Sequence, residues 1–331
     1  MKCTLLYILV SVFVTIPAFS QNKPVLRYNR NGEFKIVQFT DLHFKHGKSS
    51  SNDAIECMKT VMMEEQPDLA VITGDMVYSK HVEESINTIC EVFQQFRVPF
   101  ACVFGNHDFQ FDMSLSQMYD KYSSYSYNIQ PPRDSLTDSP DYMIPIRTSD
   151  TTSNIISSIL YCFDSHSSCR MKGWEGYDWI HFNQVKWFTE CSEFVRNDSL
   201  SNKSNSFVFL HIPLPEFALA ATDPSISIYG NFGEKVCCPS VNSGLFAALL
   251  EAGNVCAVFA GHDHDNDFSV VYKGILLAYG RYSGGDTVYN NLKPNGARVI
   301  LLNENKKYST WIRLADGRMT EYLNFATPKE K

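Results

Sequence analysis

The chain has 331 residues, 44% hydrophobic and 13% aromatic side chains, and a formal net charge of −7. That is enough apolar material for one large α/β domain or two smaller ones, and it excludes a disordered chain. An acidic balance without any basic run counts against nucleic acid as a stable partner, since a phosphate backbone selects clustered Lys and Arg.

Residues 1–20 read as a secretory signal peptide: Lys2, an apolar run over 5–16, and the small residues Ala18 and Ser20 at the expected cleavage positions. The mature chain, from residue 21, is therefore expected to be exported, either periplasmic or secreted. No later stretch reaches the roughly 18 uninterrupted apolar residues of a membrane span. Ten cysteines become nine if Cys3 leaves with the leader. An oxidising compartment would let several pair, with Cys162 and Cys169 as neighbours in sequence, and an odd count leaves one thiol over. The adjacent Cys237 and Cys238 lack CxxC geometry.

Strands and helices then alternate. Residues 34–40 form an apolar strand that ends at Asp41-Leu-His43. Asn52 or Asp53 can cap a helix whose apolar face is Ala54, Ile55, Met58, Val61 and Met62. Residues 69–73 make a second strand, delivering Gly74-Asp75. The next helix carries Val82, Ile86, Ile89, Cys90 and Phe93 on one side, and a strand over 98–104 delivers Gly105-Asn-His-Asp108. Three such units predict neighbouring parallel strands, with a ligand site beyond their carboxyl ends.

After a helix over 115–122, Pro131, Pro132, Pro140 and Pro145 mark a surface excursion. A strand over 155–163 ends in Asp164-Ser-His166, and a helix covers 183–195. Trp174, Trp179 and Trp187 are read as packing residues, with a substrate platform as the minority view. The polar stretch 197–206 is a solvated loop that holds two glycosylation-type sequons, and a strand over 207–210 leads straight into His211-Ile-Pro. A helix over 244–252, capped by Asn242 or Ser243, precedes the strand 255–260. That strand stops at Gly261-His-Asp-His-Asp-Asn-Asp267. Segments 268–272, 275–279, 297–302 and 310–314 look like a run of antiparallel strands.

Taken together, the strand-end polar residues are Asp41, His43, Asp75, Asn106, His211, His262 and His264. Two cations about 3.5–4 Å apart need a shared carboxylate and mixed oxygen and nitrogen donors, and such a pair activates water and clamps a phosphoryl group. The reaction implied is hydrolysis of a phosphate ester.

These stretches, Asp41-x-His43, Gly74-Asp75, Gly105-Asn-His-Asp108, His211 and Gly261-His-x-His264, resemble in order the five signatures of the calcineurin-like metallophosphoesterase superfamily. Residues 40–44, 211–216, 241–246 and 261–267 resemble its branch of inactive-named purple acid phosphatases, related to plant and fungal forms and exported bacterial phosphohydrolases. The resemblance implies an α/β fold, a sandwich of two mixed sheets flanked by helices, as a single domain over 21–331. It further implies one metal held by Asp41, His43 and His264, a second by Asn106, His211 and His262, and Asp75 as the bridge. The metals would be manganese, zinc or iron. His107 would donate to the phosphoryl oxygen or leaving group. Asp108 would either orient His107 or be a solvated loop residue.

True purple acid phosphatases carry a tyrosine three residues after the bridging aspartate and lack the histidine of Asp-x-His. This chain has both Tyr78 and His43. With His43 as the ligand, a colourless site is expected.

Asp263, Asp265 and Asp267 are read as acceptors that orient imidazoles or as a solvated turn. Arg281 and Tyr282 are placed within reach of a substrate phosphate. His46, His81, His166 and His181 are read as surface or packing residues. The expected function is an exported phosphomonoesterase that uses metal-activated hydroxide on a small-molecule phosphate ester. The rivals are a phosphodiesterase on the same scaffold and a catalytically silent binding protein; an oxidoreductase lacks a dinucleotide-binding glycine fingerprint.

Overall fold

A computed structural model describes residues 23–133 and 140–326. The leader expected over 1–20 lies outside these residues. The first half of the chain alternates as read: β1 (Glu33–Phe39), α1 (Asn52–Glu65), β2 (Leu69–Thr73), α2 (Val82–Phe96) and β3 (Phe100–Val103). The three strands are parallel neighbours. The predicted apolar faces of both helices are buried. Phe93 of α2 lies between Phe39, with ring centroids 6.4 Å apart, and Phe100, at 4.4 Å. Full burial of each such side chain contributes about 1.5–3 kcal/mol.

The chain continues through α3 (Leu115–Ser123), β4 (Tyr142–Arg147), β5 (Ile156–Cys162), α4 (Phe182–Asn197), β6 (Asn205–Phe209), α5 (Pro215–Thr222) and β7 (Ile228–Tyr229). It ends with α6 (Leu245–Ala252), β8 (Val255–Ala260), β9 (Ser269–Tyr272), β10 (Ile275–Tyr279), β11 (Gly296–Asn303), β12 (Lys307–Leu314) and β13 (Met319–Ala326). One sheet has the order β13-β12-β11-β1-β2-β3, the other β4-β5-β6-β8-β10-β9-β7, and both mix parallel with antiparallel pairs.

The two sheets face each other across one core, and helices cover their outer faces. Strand β6 displays this division: Phe207 and Phe209 join the core shared with Val37, Phe39 and Val299, while Val208 and Leu210 join the cluster of α4, α5 and α6. With both faces buried, the strand reads as a continuous apolar run.

Several expectations change, among them the cap of α6, which is Gly244 and not Asn242 or Ser243. The proline-marked excursion contains β4, because Pro145 sits on the edge strand of its sheet, where a missing N–H costs no ladder bond. The run of antiparallel strands is divided between the sheets: β9 and β10 form a hairpin beside β8, whereas β11, β12 and β13 pair onto β1. The helix α1 begins after Ser51 without a side-chain cap, so Asn52 lies inside it.

All nine cysteines among the described residues are free. Cys162 is buried at the end of β5 and Cys169 lies on a loop, so the pair offered by the sequence is not formed. Among the described residues no helix is long and apolar enough to cross a membrane.

A candidate two-metal centre

The carboxyl ends of β1, β2, β3, β6 and β8 converge on one edge of the sandwich and carry the seven predicted side chains there. Asp41, His43, Asp75 and His262 all have left-handed backbone, with φ of 55°, 40°, 51° and 81°. This conformation costs a non-glycine residue of order 1–3 kcal/mol and persists where surrounding structure enforces it, characteristically at functional sites. The glycines beside them permit close approach. A Cβ on Gly74, whose φ is 84°, would strike the His211 imidazole, and one on Gly105 would strike the Asp75 carboxylate.

Two groups of buried donors result, Asp41 with His43 and His264, and Asp75 with His211 and His262, each with ligand atoms within 4.8 Å of one another. Each carboxylate is half occupied. Asp41 Oδ2 accepts from Thr40 Oγ1 at 2.6 Å and from the His262 N–H at 2.9 Å, while its Oδ1 has no hydrogen-bond partner. Asp75 Oδ1 accepts the His107 N–H at 2.8 Å. Its Oδ2 stands 3.5 Å from His43 Nε2 in one group and 3.4 Å from His211 Nε2 in the other. Asn106 Oδ1 is 3.1 Å from His211 Nε2.

Two of the imidazoles are oriented from behind by backbone carbonyls. His211 Nδ1 faces Thr73 O and His264 Nδ1 faces Tyr289 O, both at 2.7 Å. When each Nδ1 donates there, each Nε2 turns a lone pair inward. His264 Nε2 then faces His43 Nε2 at 3.1 Å and Asp41 Oδ1 at 3.5 Å. His211 Nε2 meets Asn106 Oδ1, Asp75 Oδ2 and, at 3.2 Å, His262 Nδ1. Lone pairs directed at one another in a dry pocket repel unless a proton or cation lies between them. The donor set fits two borderline cations with one shared carboxylate.

The protein alone must balance these charges with protons. Burial lowers the His211 imidazole, but the Asp75 and Asp41 carboxylates outweigh it and raise it to about 10. Burial and then the His211 charge push His262 down to about 3. Burial raises Asp75, and the His211 charge reverses this, holding the carboxyl well below its usual range.

Other predicted residues take different places. His107 is half buried at the rim, with its Nδ1 3.0 Å from Gln110 Oε1 and its ring 5.6 Å from that of His43. Gln110, which the sequence reading missed, also donates to Asn106 O at 3.2 Å. Asp108 neither orients His107 nor lies in solvent. It is fully buried, and its carboxylate accepts four backbone N–H groups, from Asp75, Met76, Val77 and Gly105, at 2.7–3.2 Å. It therefore holds the loop that presents Asp75.

Arg281 does not reach for a phosphate either. It is buried, 2.5 Å from Asp267, with Pro294 O and Leu292 O as further acceptors. Tyr282 is buried too, and donates to Gly285 O. Asp263, Asp265 and Asp267 are buried acceptors that tie the histidine loop to Tyr279, Asn291 and Arg281, without touching an imidazole from behind. Tyr78 stands edge-on to His43 at 5.3 Å and to His107 at 4.8 Å, with the Lys45 ammonium 4.8 Å from its ring. His46 pairs with His81 near the surface and His166 with His181 at the start of α4, away from the donor groups.

Fold and site together define a class, a metallophosphoesterase sandwich with candidate sites for two metal ions. The calcineurin-like phosphoesterase family model matches residues 34–266, and the chain belongs to that family. It is 30% identical to "Probable inactive purple acid phosphatase 29" of Arabidopsis thaliana, over 95% of this chain and 92% of that protein. It is 29% identical to "Phosphatase DCR2" of Saccharomyces cerevisiae, over 91% of this chain and 57% of that one. Among solved structures, a dimetal phosphatase from Danio rerio shares the fold with a TM-score of 0.59 at 13% identity, covering 88% of this chain and 98% of its own.

Proposed function

We propose that the protein is an exported phosphoesterase that hydrolyses small-molecule phosphate monoesters at a two-metal centre. The observation that carries this reading is the Asp75 carboxylate, one oxygen of which stands 3.5 Å and 3.4 Å from imidazole nitrogens of the two donor groups. Asp41, His43 and His264 would hold one cation, Asn106, His211 and His262 the other, and Asp75 both. Such a pair, as manganese, zinc or iron, supplies Lewis acidity toward the phosphoryl oxygens and lowers the pKa of water.

The remaining chemistry belongs to side chains. Gln110 Oε1 accepts from His107 Nδ1 and fixes the ring, which leaves Nε2 for the substrate; in the imidazolium form both nitrogens carry protons, and Nε2 donates to a phosphoryl oxygen or to the departing alcohol. Asp108 and the Thr73 and Tyr289 carbonyls hold the donors in place before substrate arrives. The Arabidopsis relative is named inactive, yet in this chain every donor type the site requires is present. Export rests on the sequence of residues 1–20.

The test is to load purified protein with manganese, zinc or iron, count bound ions, and assay p-nitrophenyl phosphate against bis(p-nitrophenyl) phosphate. Turnover of the monoester in preference is expected. Two bound ions without hydrolysis of either ester would overturn the catalytic reading, and preference for the diester would reassign the substrate class.

A further inference from the structure

The rim of the centre is aromatic. The hydroxyphenyl ring of Tyr177 stands edge-on against His262, with centroids 4.5 Å apart and planes at 88°. Tyr289 lies nearly parallel to His264, at 4.4 Å and 26°, so that one of its faces covers a donor histidine, yet the residue remains 55% exposed.

Tyr177 is the base of a hairpin closed by its bridge to Ser168 and by the Cys169 N–H to Gly176 O. The tip of that hairpin exposes Met171 and Trp174. Two of the positive charges around the centre already have partners. Arg281 is buried against Asp267, and Lys45 lies over Tyr78 and donates to Thr287 O at 2.7 Å. The Tyr289 hydroxyl donates to Glu234 at 3.0 Å, which places a carboxylate at the same rim. A second anionic group on the substrate would be repelled there.

We infer that Tyr177 and Tyr289 form a specificity bracket for a planar aromatic alcohol, so that the substrate is an aryl-type phosphate monoester whose ring stacks beside His262 and His264. This rests on the phosphoesterase reading above. Ring stacking prefers offset or edge-to-face contacts at centroid separations of about 4.5–7 Å, which a planar group held against these tyrosines would meet.

The test measures binding of phenylphosphonate, cyclohexylphosphonate and methylphosphonate to the metal-loaded full chain by calorimetry, which needs no turnover. Stacking predicts that phenylphosphonate binds about tenfold tighter than either of the others, an increment of the size expected for one stacked ring. In Tyr177→Leu and Tyr289→Leu the phenyl preference should fall to within about twofold, with metal content and methylphosphonate affinity unchanged; the Tyr289 carbonyl behind His264 survives the substitution.

Equal affinity for phenyl and methyl groups in the wild type would overturn the bracket, as would equal affinity for phenyl and cyclohexyl groups or a preference that survives both substitutions. Should a variant lose metal, the wild-type ratios decide. Binding of no phosphonate at all would instead overturn the phosphoesterase reading, and the bracket with it.

Discussion

Asp75 divides its carboxylate between two tasks: one oxygen is fixed by the His107 N–H, and the other lies between the donor groups. Asp75→Asn keeps the shape and removes the charge that offsets two cations. Metal analysis should fall below two ions per chain, with turnover abolished. His107 has no donor role of that kind. His107→Ala should lower turnover by about 10²–10⁴-fold while two ions stay bound; loss of metal in that variant would contradict its place at the rim. Tyr78 lies edge-on to His43, and His43 stands in the donor group. Protein loaded with iron should therefore show no ferric-tyrosinate absorption band, and a purple colour would return Tyr78 to the metal.

The loop between β2 and α2 depends on the loop after β3, because Asp108 accepts the Asp75, Met76 and Val77 N–H groups as well as that of Gly105. An unsatisfied buried donor costs about 1–3 kcal/mol, so Asp108→Ala should lower stability by at least that much, read as a shifted denaturant midpoint. Metal affinity should fall with it. The pattern that located β1, β2, β3, β6 and β8 was an apolar run stopping at a polar residue, and this was plain in the chain. The partners of those strands were not. β4 was concealed by Pro145, which an edge strand tolerates, and the hairpin of β9 and β10 looked no different from β11 and β12 although they belong to different sheets.

The two sheets are joined near the site by an ionic cluster. Arg281 pairs with Asp267, Arg298 donates to Asp267 O, and Asn231 donates to both Asp267 and Glu321 on β13. Burial and then the Asp267 charge raise the Glu321 carboxyl to about 7, against the pull of Arg298 and Arg281. Its unfolded value is about 4.3, so between that value and pH 7 the folded state binds more protons than the unfolded chain, and stability falls as pH rises through this window. Glu321→Gln should flatten that slope and leave the variant more stable than wild type above pH 7, with the gap narrowing as pH falls and closing below about pH 4.3; denaturant midpoints above and below this window decide it. Cations that bind only the folded chain stabilise it by mass action. A chelator should therefore lower the melting temperature of metal-loaded protein and leave Asp75→Asn nearly unaffected.

Residue order along the chain was sufficient to place seven donors at strand ends and to read the first parallel strand-helix units, because an apolar run, a breaker and a ligand are local features; the second sheet entered only through the family resemblance. Contacts between distant segments carry no local signature. That Asp108 clamps the Asp75 loop, that Arg281 is buried against Asp267, and that Tyr177 and Tyr289 stand beside His262 and His264 were decided when segments far apart in the chain came side by side at the strand ends of each sheet. Packing sets which side chains meet, and burial then dictates that each polar group finds a partner; at the two candidate sites the inward-facing donor atoms are left facing one another, an arrangement that suits a pair of cations.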